Sequence, residues 1–282
     1  MRPISLPTPL PTPLPTLAAL IFCALPAMAE TPLERGTYLV EGPAACGSCH
    51  TAPVPGAAPL GGNTIVEHAF TAQVPNITPG SRIAGWTDAE LTRAIREGIR
   101  PDGSVIGPPM PIGLYRNLSD GDVAAIVAYL RTVPAVVTAF TPSDYPFPLP
   151  PAYGPPVDHV AEVPRGITVE YGAYLAGPVA HCLECHSLKD GMPDFEHNLG
   201  GGGHAWEGPW GVSVAANLTS HEDGLKRYSD AEVATMITRG LRPDGSAMSP
   251  PMSYAHYANM TAEDVAAIIL FLRTLPPIPT GG

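Results

Sequence analysis

The sequence predicts a mainly α fold built twice in tandem, and three observations lead there. Helix-capping signals stand at matching places in the two halves of the chain, and the same residues recur at a near-constant offset. The remainder is punctuated by 29 Gly and 36 Pro among 282 residues, about 23%, which makes it loop rather than low-complexity sequence. Charged residues make up 15% and apolar residues 45%, the balance of a chain that buries a core. Fifteen Lys and Arg against 26 Asp and Glu give a net charge of −11. That excludes a nucleic-acid binder built on a basic stripe and favours cationic partners.

The helices follow in order. A first helix in each half carries Gly36, Tyr38 and Leu39, or Gly172, Tyr174 and Leu175, an offset of 136. A second opens on a capping box, Thr87-Asp88-Ala89-Glu90 or Ser229-Asp230-Ala231-Glu232, with Leu91, Ala94 and Ile95, or Val233, Met236 and Ile237, on one face. The third starts at Ser119 or Thr261, buries Val123, Ile126, Val127 and Leu130, or Val265, Ile268, Ile269 and Leu272, and ends before Pro134 or Pro276. By then the offset is 142, so the second copy has gained six loop residues. Gly36 and Gly172 are expected to let the first helix approach the third closely, near Tyr129 and Phe271. Between the copies, Pro142, Pro146, Pro148, Pro150, Pro151, Pro155 and Pro156 predict an extended, fairly stiff linker that sets the separation of two domains. The expected division is 1–29 leader, 30–140 first domain, 141–165 linker and 166–282 second domain.

Residues 1–29 read as an export address. Arg2 precedes an apolar run from Leu17 to Leu25 that includes Cys23, and Ala27-Met28-Ala29 supplies a small-residue cleavage site. The run falls short of the roughly 20 residues a spanning helix needs. Cleavage before Glu30 removes Arg2 and takes the charge to −12. Further along, Val265 to Leu272 is cut short by Glu263-Asp264 and Arg273, so no membrane span is expected in the mature chain.

The remaining cysteines stand as Cys46-Gly47-Ser48-Cys49-His50 and Cys182-Leu183-Glu184-Cys185-His186. Both fit C-x-x-C-H, the attachment signature of c-type haem. Two thiols on one turn bond the porphyrin and the adjacent histidine reaches the iron, provided its other ring nitrogen donates to a carbonyl that fixes the tautomer. A zinc site leaves unexplained why His follows the second Cys both times. A thioredoxin-type pair wants a βαβ setting, and disulfides between the pairs ignore the histidines. The expected cofactors are therefore two haem c groups, with iron bound by His50 and His186. Three short helices bury little area alone, so each haem completes a core.

On the sixth iron position the repeat is informative. Met110 and Met252 match, each follows Pro-Pro, and they lie 60 and 66 residues beyond His50 and His186. A single methionine is ordinary core filler; one recurring in a rigid loop is a candidate ligand, which gives a low-spin electron carrier of raised potential. Met248, His68, His204, His221 and His256 are rivals with no equivalent in both copies. Asn76-Ile77-Thr78 and Asn217-Leu218-Thr219 are expected to shape the loop on the Met side. Trp86 and Tyr228 pack either on a haem edge or in the core, and Arg100 and Arg242 either pair with a haem carboxylate or cap a turn.

Together with Pro79, Gly85-Trp86, Arg100-Pro101-Asp102-Gly103, Pro109-Met110-Pro111 and Ala128-Tyr129-Leu130-Arg131, these residues resemble dihaem and trihaem c-type cytochromes, particularly subunits that accept electrons from periplasmic alcohol, gluconate, aldehyde or nicotinate dehydrogenases. The resemblance implies two tandem cytochrome c-like domains, a periplasmic location, a dehydrogenase as donor and an oxidase or another cytochrome as acceptor. Many of those subunits have three haem sites and a C-terminal anchor, where two sites and no such anchor are expected of this chain. The alternative class is a dihaem enzyme, peroxidase-like or thiosulfate-oxidising. A peroxidase needs an iron that opens a position, and thiosulfate oxidation needs a thiol beyond the two pairs.

Overall fold

Helices form where their caps stand in the computed structural model, which describes residues 30–67 and 69–281. The predicted leader with Cys23, and His68, lie outside the described residues.

In the first half, α1 (Pro32–Glu41) starts on a Thr31–Glu34 capping box and leads into α2 (Cys46–His50). A hairpin of β1 (Asn63–Val66) and β2 (Thr71–Val74) follows. Then come α3 (Asp88–Glu97) on its Thr87–Glu90 box, the short α4 (Ile112–Tyr115), and α5 (Asp120–Leu130) capped by Ser119. The second half repeats this with α6 (Val169–Tyr174), which runs on as a π-turn to Val179, and α7 (Cys182–His186). It adds a small hairpin of β3 (Leu188–Lys189) and β4 (Met192–Pro193) before β5 (Ala205–Gly208) and β6 (Gly211–Val214). It closes with α8 (Asp230–Arg239), α9 (Tyr254–Tyr257) and α10 (Ala262–Thr274).

The sequence reading did not foresee the hairpins. β1–β2 and β5–β6 fill the stretch after each cysteine motif; each strand is only four residues long, and although β1 and β5 alternate in burial, outward positions carry apolar residues such as Val66 and Val212, so no polar outer face marks them in the sequence. The extra β3–β4 hairpin lies where the offset grows from 136 at His50/His186 to 141 at Asn76/Asn217.

Within each half the first and last helices cross at a glycine. A methyl at Gly36 would stand 1.9 Å from the Ala125 carbonyl oxygen and 2.9 Å from Tyr129 Cβ, and one at Gly172 would stand 1.9 Å from the Ala267 oxygen and 2.9 Å from Phe271 Cβ. Only a hydrogen fits, as the sequence suggested. Leu39, Val123, Leu175, Ile268 and Leu272 are buried in an apolar cluster that runs without a break through both halves.

The halves meet reciprocally. Tyr38 Oη donates to Asp264 Oδ2 at 2.6 Å and accepts from the Thr261 amide at 3.2 Å. Its counterpart Tyr174 donates to Asp122 Oδ2 at 2.7 Å and accepts from the Ser119 amide at 3.1 Å. Arg35 touches its own repeat equivalent, Tyr171, at 3.4 Å, which places both beside an approximate internal two-fold. Arg35 is spent mainly on a buried bidentate pair with Asp122, at 2.7 and 2.8 Å.

This contact corrects the reading of the Pro-rich segment as the device that separates the halves. Residues 141–165 contain no helix, as predicted, but they lie along the first half: Asp144 bridges to Thr71, Tyr145 donates to the Pro108 carbonyl, Tyr153 donates to that of Ile106, and Glu162 accepts from Ser119 Oγ and the Gly121 amide. Proline supplied the extended backbone. Tyrosine and carboxylate side chains, not stiffness, decide where it lies.

Candidate cofactor sites

Each cysteine pair sits on one helical turn entered through a left-handed residue, Ala45 at φ 47° and His181 at φ 41°. Such a conformation costs a non-glycine residue about 1–3 kcal/mol. Its recurrence at both motifs marks the bend as part of the site. The four cysteines are unpaired and half-buried. Burial pushes the thiols of Cys46, Cys182 and Cys185 up to about 12 and that of Cys49 up to about 11, so they stay uncharged.

The histidines are held identically. His50 Nδ1 lies 2.7 Å from the Pro75 carbonyl oxygen, and His186 Nδ1 lies 2.7 Å from that of Ala216. A carbonyl only accepts, so Nδ1 carries the proton and Nε2 keeps its lone pair for a metal. Burial lowers both imidazole pKa values and keeps the rings neutral.

The loop that presents each carbonyl is fixed by the asparagine after it. Asn76 Oδ1 accepts from the Thr78 amide at 2.8 Å while its Nδ2 donates to the Val136 carbonyl; Asn217 does the same with Thr219 and, at 2.7 Å, Ile278. This is a correction. Asn76-Ile77-Thr78 and Asn217-Leu218-Thr219 shape the histidine side, not the methionine side, because the residue before each asparagine is the one the imidazole holds.

Met110 and Met252 are half-buried against the core in loops whose preceding Pro-Pro bonds are both cis. Each carbonyl starts the next helix, accepting from Ile112 at 2.8 Å or Tyr254 at 3.0 Å. Those helices end at buried tyrosines: Tyr115 is within electrostatic reach of Cys46 and Cys49, and Tyr257 of Cys182 and Cys185. In each half, then, the methionine loop and the cysteine turn converge.

The rival Met248 occupies the repeat position of Ile106. Both amides bond a glycine carbonyl at 2.7 Å, Gly240 and Gly98, and Met248, like Met110 and Met252, packs against the core. His204 meets Trp206 edge-on with ring centroids 4.4 Å apart, and His221 Nδ1 lies 3.2 Å from Asp223 Oδ2. Trp86 and Tyr228 pack against the core. Arg100 and Arg242 both cap their turns, donating to the Val105 and Ala247 carbonyls at 2.6 and 2.7 Å.

Several residues lie between the two sites, and of these the sequence reading singled out only His256, as a rival ligand. Tyr115 and Tyr257 sense Glu184 as well as each other's half, and Cys49 and Glu184 both raise the Cys185 thiol, so the two attachment turns face one another. His256 lies on the first turn, its ring where a Gly47 side chain would be, and His181 meets Tyr115 edge-on at 5.9 Å. The recurrence of Tyr115 and Tyr257 at the 142 offset was the available signal; the histidines have none.

Two neutral thiols, a tautomer-locked imidazole and a nearby thioether form a donor set that fits haem c. Comparison with known proteins agrees. The family model described as cytochrome C oxidase, cbb3-type, subunit III matches residues 31–130. A "Diheme cytochrome c-type" protein of Cereibacter sphaeroides is 31% identical over 253 residues, covering 83% of this chain and 82% of that protein. The chain belongs to the c-type cytochromes. This cytochrome is also 31% identical over 278 residues to the cytochrome c subunit of the quinone alcohol dehydrogenase of Gluconobacter oxydans, and 29% identical over 270 residues to the fructose dehydrogenase cytochrome subunit of Gluconobacter japonicus. It covers 56% and 54% of those two, so it spans about half their length, while 89% of the cytochrome is matched in each case. No helix among its described residues is long and apolar enough to cross a membrane.

Proposed function

We propose that this cytochrome carries electrons through two covalently attached haems, one in each half, accepting them from a partner dehydrogenase and passing them to an oxidase or another cytochrome. The proposal takes residues 30–140 and 166–282 as two cytochrome c-like domains, exported to the periplasm on a leader over 1–29. The observation that carries it is the imidazole lock, built twice: His50 on Pro75 and His186 on Ala216, both at 2.7 Å and both next to a pair of free thiols. A haem so bound supplies a one-electron iron couple.

In this reading Cys46, Cys49, Cys182 and Cys185 form the thioethers, His50 and His186 are the proximal ligands, and Met110 and Met252 close the far sides. The thioether sulfurs leave no free thiol in the mature chain for a cysteine-ligated iron, and two methionine-ligated irons favour a carrier over an enzyme. The facing attachment turns give the electron a route between the halves without leaving the protein. The names of the two Gluconobacter relatives support a dehydrogenase as donor, each being a cytochrome subunit of such an enzyme.

The test is stoichiometry. Protein matured in a host competent for c-type cytochromes should yield two alkaline-pyridine haems per chain that resist acid acetone, and one or none ends the proposal. A charge of −12 on the exported chain adds a second expectation. The rate of reduction by a cationic donor surface should fall on the order of tenfold or more from low to physiological salt. A flat salt profile in stopped flow removes steering.

A further inference from the structure

The two sites are not equivalent, and the difference is cationic. On the first, Arg82 and Arg100 line a cleft of about 290 Å³ together with Phe140 and Tyr145. Arg82 and Phe140 also line an adjoining cleft of about 410 Å³ that reaches Pro75 and Asn76, the loop holding His50. The Nε atoms of both arginines are buried without a hydrogen-bond partner. Burial depresses both guanidinium pKa values; the charge of Arg100 lowers Arg82 further, and Asp102 offsets both only in part, with Tyr145 adding to the offset at Arg100. Arg82 is packed in place, its guanidinium 4.3 Å from the Phe140 ring centroid and 5.6 Å from that of Trp86. Two adjacent cations with buried, unused donors are half of an anion site.

The second half lacks this arrangement. The position of Arg82 is Gly224, and Arg242, the counterpart of Arg100, is exposed. Asp102 recurs as Asp244, so the acidic group is common to both sites and does not separate them. Coverage differs in the same sense. The Tyr145 hydroxyl bonds the Pro108 carbonyl two residues before Met110, and Pro108 and Pro109 are half-buried, whereas Pro250 and Pro251 before Met252 are exposed.

We infer that Arg82 and Arg100 clamp the carboxylates of the haem in the first half and hold its iron at a higher reduction potential than the iron of the second. This rests on the two-haem reading above. Reduction adds one electron to the iron and lowers its charge by one. Neutralising nearby carboxylates withdraws negative charge that favours the ferric state, and excluding water acts in the same direction. An electron entering at the more open second site therefore settles on the first, and the second is emptied for the next.

The test is a potentiometric titration followed by absorption, on holoprotein whose haem content has been counted, so that failure of the two-haem reading is recognised separately. Wild type should show two one-electron steps. Arg82→Gln should lower the upper step by roughly tenfold in its equilibrium constant, about 59 mV for one electron, and leave the lower step in place. Arg82→Lys, which keeps the charge but not the planar fork, should fall between. Met252→Ala should change the spectrum of the lower step, assigning it to the second half. Two coincident steps, no shift in Arg82→Gln, a shift of the lower step, or an upper step that moves with added acetate, which would place a free anion in the cleft, overturns the inference.

Discussion

Met110→Ala and Met252→Ala should each turn one haem high-spin and leave the other as it was. With two equivalent ligands, each variant keeps half of the far-red sulfur-to-iron band of the ferric protein and gains a high-spin component of matching size, and the double variant loses the band altogether. Each methionine precedes a short helix whose terminal tyrosine lies beside the cysteine turn of the same half, so loop and turn bracket one space. Loss of the thioether leaves water or nothing on that face, because each site's histidine is already used on the other. The affected iron also loses the raised potential that a sulfur ligand confers. Met248→Ala is the control: it stands where the first half has Ile106, and its removal should leave the band intact. An unchanged band in either of the first two variants, with haem content normal, ends the assignment for that half.

Local chemistry was the legible part of this molecule. The Thr87–Glu90 and Ser229–Glu232 boxes and the glycine crossings at Gly36 and Gly172 are each set by residues a few positions apart or by one steric requirement, and the structure bears each of them out. Even the need for a carbonyl behind each histidine was readable, although its identity was not: Pro75 and Ala216 lie 25 and 30 residues from their imidazoles. What stayed hidden depends on side chains distant in sequence. Tyr38 with Asp264 and Tyr174 with Asp122 look like unrelated residues until the halves are placed together. Asn76 was read on the wrong face because the order of residues along the chain does not tell which side of a planar cofactor a loop passes. The proline-rich segment showed its backbone preference in its composition, but its path is set by Tyr145, Tyr153 and Glu162, whose partners composition cannot name.

The largest stability effect is expected at Arg35, and it separates the two sides of the internal interface. Its guanidinium and the Asp122 carboxylate are each only 7% exposed, and both bonds between them are short. Arg35→Ala removes the cation and leaves the carboxylate buried, with Tyr174 Oη at 2.7 Å as the remaining strong side-chain donor. Breaking a buried pair from one side costs about 3–5 kcal/mol, most of it the stranded charge. Tyr38→Phe on the other side removes one hydroxyl from the buried Asp264 and should cost about 1.5–3 kcal/mol, as for hydrogen bonds to charged groups. Arg35→Met combined with Asp122→Leu strands no charge, and should recover most of the loss because apolar replacement of both members is often neutral. Denaturation of the ferric holoprotein, followed by far-UV circular dichroism and by haem absorbance together, measures all three. A loss below about 1 kcal/mol for Arg35→Ala, or a double variant no better than the single, would mean that the ion pair is not what fastens α1 to α5 beside the second half.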